Sequence, residues 1–340
     1  MTPEFRRDPL HNVWVVFSPE RQRRPQDFQP ASLKPGAVDP FAEGNERLTP
    51  PEVFAFRKEK TRPNEPGWRV RVVPNRYPAM RVEGTLDSSP VGLYDRMTGI
   101  GAHEVIIETP RGDAGLEDLS VSAIAEVFAS YRERIIDLDK DVRFQHIYVF
   151  KNVGVSAGAS IIHAHSQLMA MPLVPPDVEG KLSRAREHYR LKQRSLFRDI
   201  LHTERVDGSR LVAENDSYVL FCPYASRFPF ELAIYPKRHH PEFISCTSNE
   251  LQDLGEIYRF AIQRLNAVLE KPGYNFLLHT APLRRPATER FESTRHDYSW
   301  HLEIVPRFNA LAGFEIGTGA YINTVYPEEA AKFLRGEARA

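Results

Sequence analysis

Alternating apolar and polar positions predict a chain built largely from short strands. The pattern is clearest in "WRVRVVP" (68–74), "HEVIIE" (103–108) and "QHIYVFKN" (145–152). Valine, isoleucine and aromatic residues dominate these runs, as is typical of pleated, half-buried surfaces. Further strands are predicted at 13–17, 161–171, 218–223, 231–236, 275–279 and 299–306.

Apolar residues spaced three and four apart predict a smaller number of long helices. The helix predicted over 248–269 begins with Ser248 and carries Leu251, Leu254 and Tyr258 on one face. A polar residue that opens an amphipathic run is a helix start signal. The other helices are predicted at 121–138, 177–203 and 327–335.

One order of elements occurs twice along the chain. "HEVIIETPRGDAGLEDLSVSAIAEVF" and "FELAIYPKRHHPEFISCTSNELQDLGEIY" each run from a strand through a polar loop into a helix, aligning Glu104 with Glu231 and Gly112 with His239. A single repeat of this length indicates a duplicated domain. The chain is therefore predicted to be α+β, with related halves at residues 1–175 and 176–340. Each half is expected to be a mostly antiparallel sheet with helices packed on it.

Composition excludes several classes of protein. The 340 residues hold 45 basic and 45 acidic side chains, which argues against a protein built mainly to bind nucleic acid. No apolar run approaches membrane-spanning length, so no membrane partner is expected. Two cysteines, Cys222 and Cys246, are too few for a disulfide framework. The N-terminus carries no apolar signal core, and a cytoplasmic location is expected.

The candidate chemistry lies in "IIHAHSQLMAM" (161–171). A strand here would place His163, His165 and Gln167 on one face, about 6.6 Å apart. The preceding loop, "NVGVSAGAS", is rich in glycine and lets backbone approach a ligand closely. A neutral imidazole can attack phosphorus and an amide can stabilise the phosphoryl oxygens, so the pattern favours nucleophilic catalysis on a phosphate. The alternative is an ordinary strand with a polar face.

"GASIIHAHSQ" resembles the active-site strand of the galactose-1-phosphate uridylyltransferase family, the hexose-1-phosphate nucleotidylyltransferase branch of the histidine-triad superfamily. "DPLHNVWVVFSPERQRRP", "NRYPAM" and "WHLEIVPRFNALAGFEIGTGAYIN" are similar to other family segments. The resemblance implies a ping-pong reaction with His165 as nucleophile, Gln167 supporting the phosphoryl group and His163 beside them. It also implies that Glu315 contacts the sugar. The positions that it marks for substrate binding are Arg21, Arg24, Asn75, Asn152, Ser160, Phe314 and Glu315.

The chain departs from the family where relatives carry zinc ligands. The positions that the resemblance assigns to a metal hold aspartate, alanine, glycine, serine and arginine instead. A structural zinc needs about four thiolate or imidazole ligands. We therefore expect no zinc, although His163 and His239 remain as single candidate ligands, with His301 a further candidate beside His239. A separate metal at His279, His301 and Glu303 is a weaker alternative, and hydrogen-bonded core histidines are favoured there. The substituted positions are Asp39, Ala42, Gly112, Ser195 and Arg198.

The resemblance implies transfer of UMP from UDP-glucose to galactose 1-phosphate, hence a place in galactose metabolism. "HSQ" and the "GFEIGTG…YIN" ending also resemble ADP-glucose phosphorylase, in which a histidine would pass an adenylyl group to phosphate. An inactive nucleotide-binding protein on the same fold is a third reading. The partners expected are a nucleotide sugar, a sugar 1-phosphate and a second copy of the chain in a homodimer.

Overall fold

A computed structural model describes residues 4–7, 14–17, 38–91, 94–285, 293–308 and 311–337. It is α+β, as predicted, and its centre is a ten-stranded sheet in which neighbouring strands run antiparallel. The strands are β1 (Glu4–Arg7), β2 (Trp14–Phe17), β3 (Phe54–Arg57), β4 (Trp68–Pro74), β5 (Ser88–Val91), β6 (Tyr94–Met97), β7 (Ala102–Ile107), β8 (His146–Val153), β9 (His165–Met171), β10 (Leu211–Glu214), β11 (Tyr218–Phe221), β12 (Leu232–Pro236), β13 (Tyr274–His279), β14 (His301–Pro306) and β15 (Tyr321–Asn323). The helices are α1 (Val121–Leu138), α2 (Pro176–Lys192), α3 (Leu196–Asp207), α4 (Ser248–Leu269), α5 (Thr294–Asp297), α6 (Gly313–Thr318) and α7 (Pro327–Arg335).

The two halves of the large sheet have the same strand order. From the β8–β13 junction the strands run β8, β9, β7, β4, β3 in one direction and β13, β14, β12, β11, β10 in the other. Helix α1 follows β7 and leads to β8, and α4 follows β12 and leads to β13. The predicted repeat is therefore present in the topology. The division at residue 175 stays a prediction, since one continuous sheet joins the halves.

One face of this sheet packs against α1 and α4. Leu168 of β9 and Leu302 of β14 lie in a single apolar cluster with Phe128 of α1 and Leu254 of α4. Because side chains alternate along a strand, His165 and Gln167 point to the opposite face of the sheet, and so do His301 and Glu303. The helices thus fix which residues are left for chemistry.

The opposite face is covered differently in each half. In the C-terminal half, α2 and α3 contribute Leu182 and Phe197 to a buried cluster with Tyr235 of β12. In the N-terminal half, Phe41 from an irregular segment packs on Ile107 of β7, in a smaller buried cluster. The N-terminal half therefore has the thinner cover.

Helices α1, α4 and α7 have the predicted bounds, and two other predictions are corrected. The helix predicted over 177–203 is two helices, because Gln193 takes a positive φ of 55° and Ser195 starts α3 anew. The strand predicted over 161–171 begins only at His165. His163 therefore lies before β9 and does not share a strand face with His165 and Gln167.

Two smaller sheets complete the described fold. Strand β15 pairs in parallel with β2, which pairs with β1, so a segment near the end of the chain joins one near its start. Strands β5 and β6 form a hairpin. Within the described residues no helix combines the length and the apolar character needed to cross a bilayer.

Candidate active site

His165 opens β9 and is held in one tautomer by its own chain. Its Nδ1 lies 2.7 Å from the backbone carbonyl oxygen of His163. Because a carbonyl oxygen only accepts, Nδ1 carries the proton and donates it, which leaves the lone pair on Nε2. Burial lowers the pKa of this imidazole, and His165 is only 8% exposed. An unprotonated, nearly enclosed Nε2 is the form of histidine that attacks phosphorus.

Phe41 fixes the orientation of the His165 ring from outside the sheet. Its ring meets His165 edge to face, with centroids 5.2 Å apart, and also contacts His163. Phe41 belongs to the thin apolar cover of the N-terminal half, with Val105 and Ile107 of β7. The cover therefore positions the imidazole without sealing it from solvent.

Gln167 is oriented by a histidine that the sequence analysis did not single out. The Ala79 N–H donates to His103 Nδ1 at 3.2 Å, so His103 carries its proton on Nε2. That Nε2 donates to Gln167 Oε1 at 2.9 Å, and Asn75 Nδ2 lies 3.2 Å from His103 Nε2. With its oxygen occupied, Gln167 keeps its NH₂ group available as a hydrogen-bond donor. Asn75, predicted to contact the nucleotide, thus lies in the network behind Gln167.

A cavity of about 270 Å³ opens beside His165; we call it the nucleophile pocket. The glycine-rich loop forms one wall, and Gly154 and Gly158 take positive φ values of 79° and 87° that favour glycine. Asn152 lines the pocket, and its Oδ1 accepts from Asn275 Nδ2 at 2.8 Å, which leaves the Asn152 amide nitrogen as a donor. Ser160 lies exposed in the same loop, outside that lining. This region suits close approach of a phosphate to backbone and amide donors.

Lys151 places a buried positive charge in the nucleophile pocket. Its Nζ donates to one oxygen of Glu108, and the other oxygen accepts from Ser166 Oγ at 2.6 Å and Tyr131 OH at 3.3 Å. Lys151 also helps to lower the pKa of His165. Lys151 is not recognisable as a buried group from the sequence, because a lysine near the end of a strand is ordinarily solvated. The available signal was its position next to Asn152, at the start of the glycine-rich loop.

The residues at the first zinc position lie together but do not fit zinc. His163 Nδ1 is 2.7 Å from Asp39 Oδ2, and His163 Nε2 is 2.6 Å from the Thr109 carbonyl oxygen. Both ring nitrogens lie against oxygen acceptors, and one imidazole with one carboxylate falls short of the four ligands of a structural zinc. Gly112 lies against this pair, and Ala42 offers no donor. The Asp39–His163 contact instead holds the carbonyl that sets the tautomer of His165.

The residues at the second zinc position take other roles. Ser195 Oγ donates to the Asp297 carbonyl oxygen at 3.0 Å. Arg198 is exposed and lines a separate cavity of about 960 Å³ with His239. His301 lies in another cluster. A guanidinium beside the remaining imidazole does not fit a zinc site.

The structure brings together the three residues of the alternative metal site, His279, His301 and Glu303. Their donor atoms lie within 4.8 Å of one another, and in the described part of the chain no other three histidine, cysteine or acidic residues do so. Burial lowers the pKa of His301 to about 4. A fourth residue, Lys181, places its Nζ 2.9 Å from Glu303 Oε1. An ammonium among these donors does not fit a metal ion.

The predicted sugar-contact residues lie apart from the nucleophile pocket. Glu315 accepts from the Ala312 N–H at 3.2 Å and the Ile322 N–H at 3.4 Å, so it caps α6 and ties it to β15. Phe314 is 41% exposed, and neither residue lines the pocket. Arg21 and Arg24, predicted to contact phosphates, lie outside the described residues and stay predictions.

Comparison with known proteins places the chain in a family. The model of the galactose-1-phosphate uridyl transferase N-terminal domain matches residues 1–175, and that of a domain of unknown function (DUF4921) matches 118–335. ADP-glucose phosphorylase from Arabidopsis thaliana is 36% identical, over 98% of this chain and 93% of its own. Galactose-1-phosphate uridylyltransferase from Thermotoga maritima is 27% identical, over 98% of both. The crystal structure of the Arabidopsis ADP-glucose phosphorylase with bound ADP-glucose superimposes with a TM-score of 0.81 at 32% identity, covering 98% of this chain and 99% of that one.

The fold and the match to the family define the class of protein, a nucleotidyltransferase. The chain belongs to the galactose-1-phosphate uridylyltransferase family, as the resemblance of its active-site strand predicted.

Proposed function

We propose that this protein transfers a nucleotidyl group from a nucleotide sugar to an acceptor through a covalent bond to His165. ADP-glucose is the donor that we place first, with phosphate as acceptor. The observation that carries the proposal is the bond from His165 Nδ1 to the His163 carbonyl oxygen, which leaves Nε2 unprotonated on a ring that lines the nucleophile pocket.

In the first step the Nε2 lone pair attacks the phosphorus that carries the nucleoside. A P–N bond forms, and the bond from that phosphorus to the sugar phosphate breaks. Glucose 1-phosphate leaves with the electron pair and needs no proton donor, because phosphate monoesters have a second pKa near 6. The amide of Gln167 donates to the phosphoryl oxygens as their charge grows.

In the second step an oxygen of the acceptor attacks the same phosphorus. The P–N bond breaks, and its electron pair returns to Nε2. With phosphate as acceptor the product is ADP, and Nδ1 keeps its proton throughout because the His163 carbonyl holds it. Lys151 keeps a positive charge near the transferred group while paired with Glu108.

The comparisons support placing ADP-glucose before UDP-glucose. The family resemblance of the sequence favours uridylyl transfer to galactose 1-phosphate. Full-length identity is 36% to an ADP-glucose phosphorylase and 27% to a galactose-1-phosphate uridylyltransferase. This difference favours the adenylyl donor. Uridylyl transfer is the second candidate, supported by the family match over residues 1–175.

The test is intact-mass measurement after incubation with ADP-glucose alone or UDP-glucose alone. We expect ADP-glucose to add one adenylyl group to the wild type and to His202→Ala, which removes an exposed histidine of α3. We expect no addition to His165→Ala. An adduct that persists in His165→Ala refutes the nucleophile, and an adduct formed only from UDP-glucose selects the second candidate.

The acceptor is tested on the isolated adduct. We expect phosphate to release ADP, and galactose 1-phosphate to release much less product. The homodimer is also part of the proposal, because Phe314 and Glu315 lie outside the nucleophile pocket of their own chain. In a dimer they are available to the pocket of the second copy, and sedimentation measures whether the dimer forms.

A further inference from the structure

Two histidines and a glutamate form a buried donor set in the C-terminal half. His279 ends β13 and pairs with His301 of β14, and their rings stack with centroids 4.7 Å apart. Glu303 follows on the same face of β14, and its Oε1 lies 3.4 Å from His279 Nε2. Two imidazoles and a carboxylate are a ligand set that binds divalent metals when nothing else occupies it.

Lys181 of α2 occupies this set. Its Nζ lies 2.9 Å from Glu303 Oε1, 3.3 Å from His279 Nε2 and 3.5 Å from His301 Nε2. His301 Nδ1 lies 3.0 Å from the Ser299 carbonyl oxygen and donates to it, so Nε2 presents a lone pair to the lysine. Lys181 is 2% exposed, so this ammonium is surrounded by protein. Its donors face acceptors that a metal would otherwise use.

We propose that the Lys181 ammonium is the resident cation of this site and excludes divalent metal from it. We call the four residues Lys181, His279, His301 and Glu303 the lysine cluster. A zinc ion would need each imidazole nitrogen at about 2.0–2.1 Å, and the ammonium already lies among those nitrogens. The proposal does not depend on which nucleotide the enzyme carries.

The charges in and around the lysine cluster support Lys181 as its resident cation. Arg227 Nη2 lies 2.8 Å from Glu303 Oε2 and 2.8 Å from Glu231 Oε1. In these ion pairs of the described residues, two cations, Lys181 and Arg227, face two carboxylates, Glu303 and Glu231, and their charges sum to zero. A divalent ion added to this set would leave two uncompensated positive charges in the interior, which is costly. Metal can enter only when the lysine charge is removed.

The same arithmetic predicts which substitution creates a metal site. Lys181→Glu leaves Arg227 against three carboxylates, a net charge of −2 that one divalent ion neutralises. It also adds a fourth ligand to the two imidazoles and Glu303. Lys181→Met leaves a net charge of −1 and adds only a weak thioether donor. The glutamate variant should therefore bind metal more tightly than the methionine variant.

The experiment is titration of the full chain with Co²⁺, followed by its visible absorption and by thermal unfolding. We expect no specific band for the wild type and one equivalent bound by Lys181→Glu. Adding His301→Ala to Lys181→Glu should abolish the band. Lys192→Glu makes the same charge change at the exposed end of α2 and should behave as the wild type does.

Thermal unfolding supplies a readout independent of colour. We expect both Lys181 variants to unfold at a lower temperature than the wild type without metal, and Co²⁺ to restore Lys181→Glu more than Lys181→Met. Wild-type protein that binds one Co²⁺ and loses it on His301→Ala overturns the proposal, whether or not the Lys181 variants fold. A folded Lys181→Glu that binds no Co²⁺ overturns it as well.

Discussion

Strands β9 and β14 occupy equivalent places in the two halves of the large sheet. They carry similar side chains, but the surroundings of those side chains differ. His165 and Gln167 stand two residues apart on β9, and His301 and Glu303 stand two apart on β14. Both pairs face away from α1 and α4. His165 is 8% exposed at the edge of a pocket, whereas His301 is fully buried.

The difference lies in what covers each strand. The irregular segment with Phe41 leaves the nucleophile pocket open beside β9. Helix α2 lies over β14 and fills the equivalent space with Lys181. One duplicated scaffold therefore yields a candidate reaction site in one half and a closed ionic cluster in the other. We infer that the cover, more than the strand, determines which imidazole meets substrate.

The largest expected effect separates the two histidines directly. His165→Ala should lower the rate of nucleotidyl transfer by more than about 10⁴-fold, because the covalent route is lost. His301→Ala should keep the rate in folded protein, since no substrate reaches a fully buried ring. Single-turnover assays with ADP-glucose measure both. A comparable loss of rate in folded His301→Ala would contradict the comparison.

The next effect separates the two buried lysines. Lys151 pairs with Glu108 and Lys181 with Glu303, and all four side chains are nearly inaccessible. Lys151→Met should cost about 3–5 kcal/mol of unfolding free energy, because it leaves the buried Glu108 carboxylate without a cation. Lys181→Met should cost less, because Arg227 still pairs with Glu303. Only Lys151→Met should also slow adduct formation. Denaturant titration measures the stability and single-turnover assays measure the rate. Equal slowing of adduct formation in both variants would contradict a role for Lys151 that Lys181 does not share.

Substitutions at Gln167 and at His103, which orients it, should slow adduct formation to different extents. Gln167→Ala removes the amide donor and should slow adduct formation about 10²–10³-fold. His103→Ala leaves Gln167 in place but frees its oxygen, so a smaller loss is expected. Both variants should bind the nucleotide with an affinity similar to that of the wild type. If His103→Ala proves as slow as Gln167→Ala, His103 does more than orient the amide.

The smallest expected effect is on the pH dependence of adduct formation at His165. Burial lowers the pKa of His165, so its Nε2 stays unprotonated as pH falls through 6.5, the ordinary value for histidine. The rate of adduct formation should therefore hold its plateau to below pH 6.5 before it falls. A rate that has halved by pH 6.5 would contradict the lowered pKa.

The free energy of unfolding should also depend on pH, through the lowered pKa of His301. Burial lowers the pKa of His301 to about 4, so between pH 6.5 and 4 the unfolded chain takes up a proton that the folded chain does not. Stability contributed by neutral His301 is thus lost as pH falls, by about 3 kcal/mol in total. Unfolding free energies of wild type and His301→Asn against pH should converge in acid.

Local patterns were enough for much of the fold. Helices α1 and α4 have the predicted bounds because their apolar spacing is regular and their starts are capped, by Ser120 and by the Thr247–Glu250 box. The break between α2 and α3 was missed, since Gln193 takes a positive φ without glycine or proline to announce it. Local propensity carries no signal for that conformation.

The site was predictable only in part. The strand with His165 and Gln167 was found from their spacing and from the family resemblance. Lys181 was not, because in a polar stretch of helix a lysine is ordinarily solvated, and only tertiary packing places it among His279, His301 and Glu303. His103 and Lys151 depend in the same way on neighbours distant in sequence. Contacts between elements, rather than patterns within them, decide these roles.

The central claim, that His165 and not its counterpart His301 carries the nucleotide, has a direct test. The protein is mixed with ADP-glucose, quenched at alkaline pH to preserve the P–N bond, digested and fragmented in a mass spectrometer. We expect an adenylyl group on His165 alone. A nucleotidyl group on His163, His279 or His301 would contradict it.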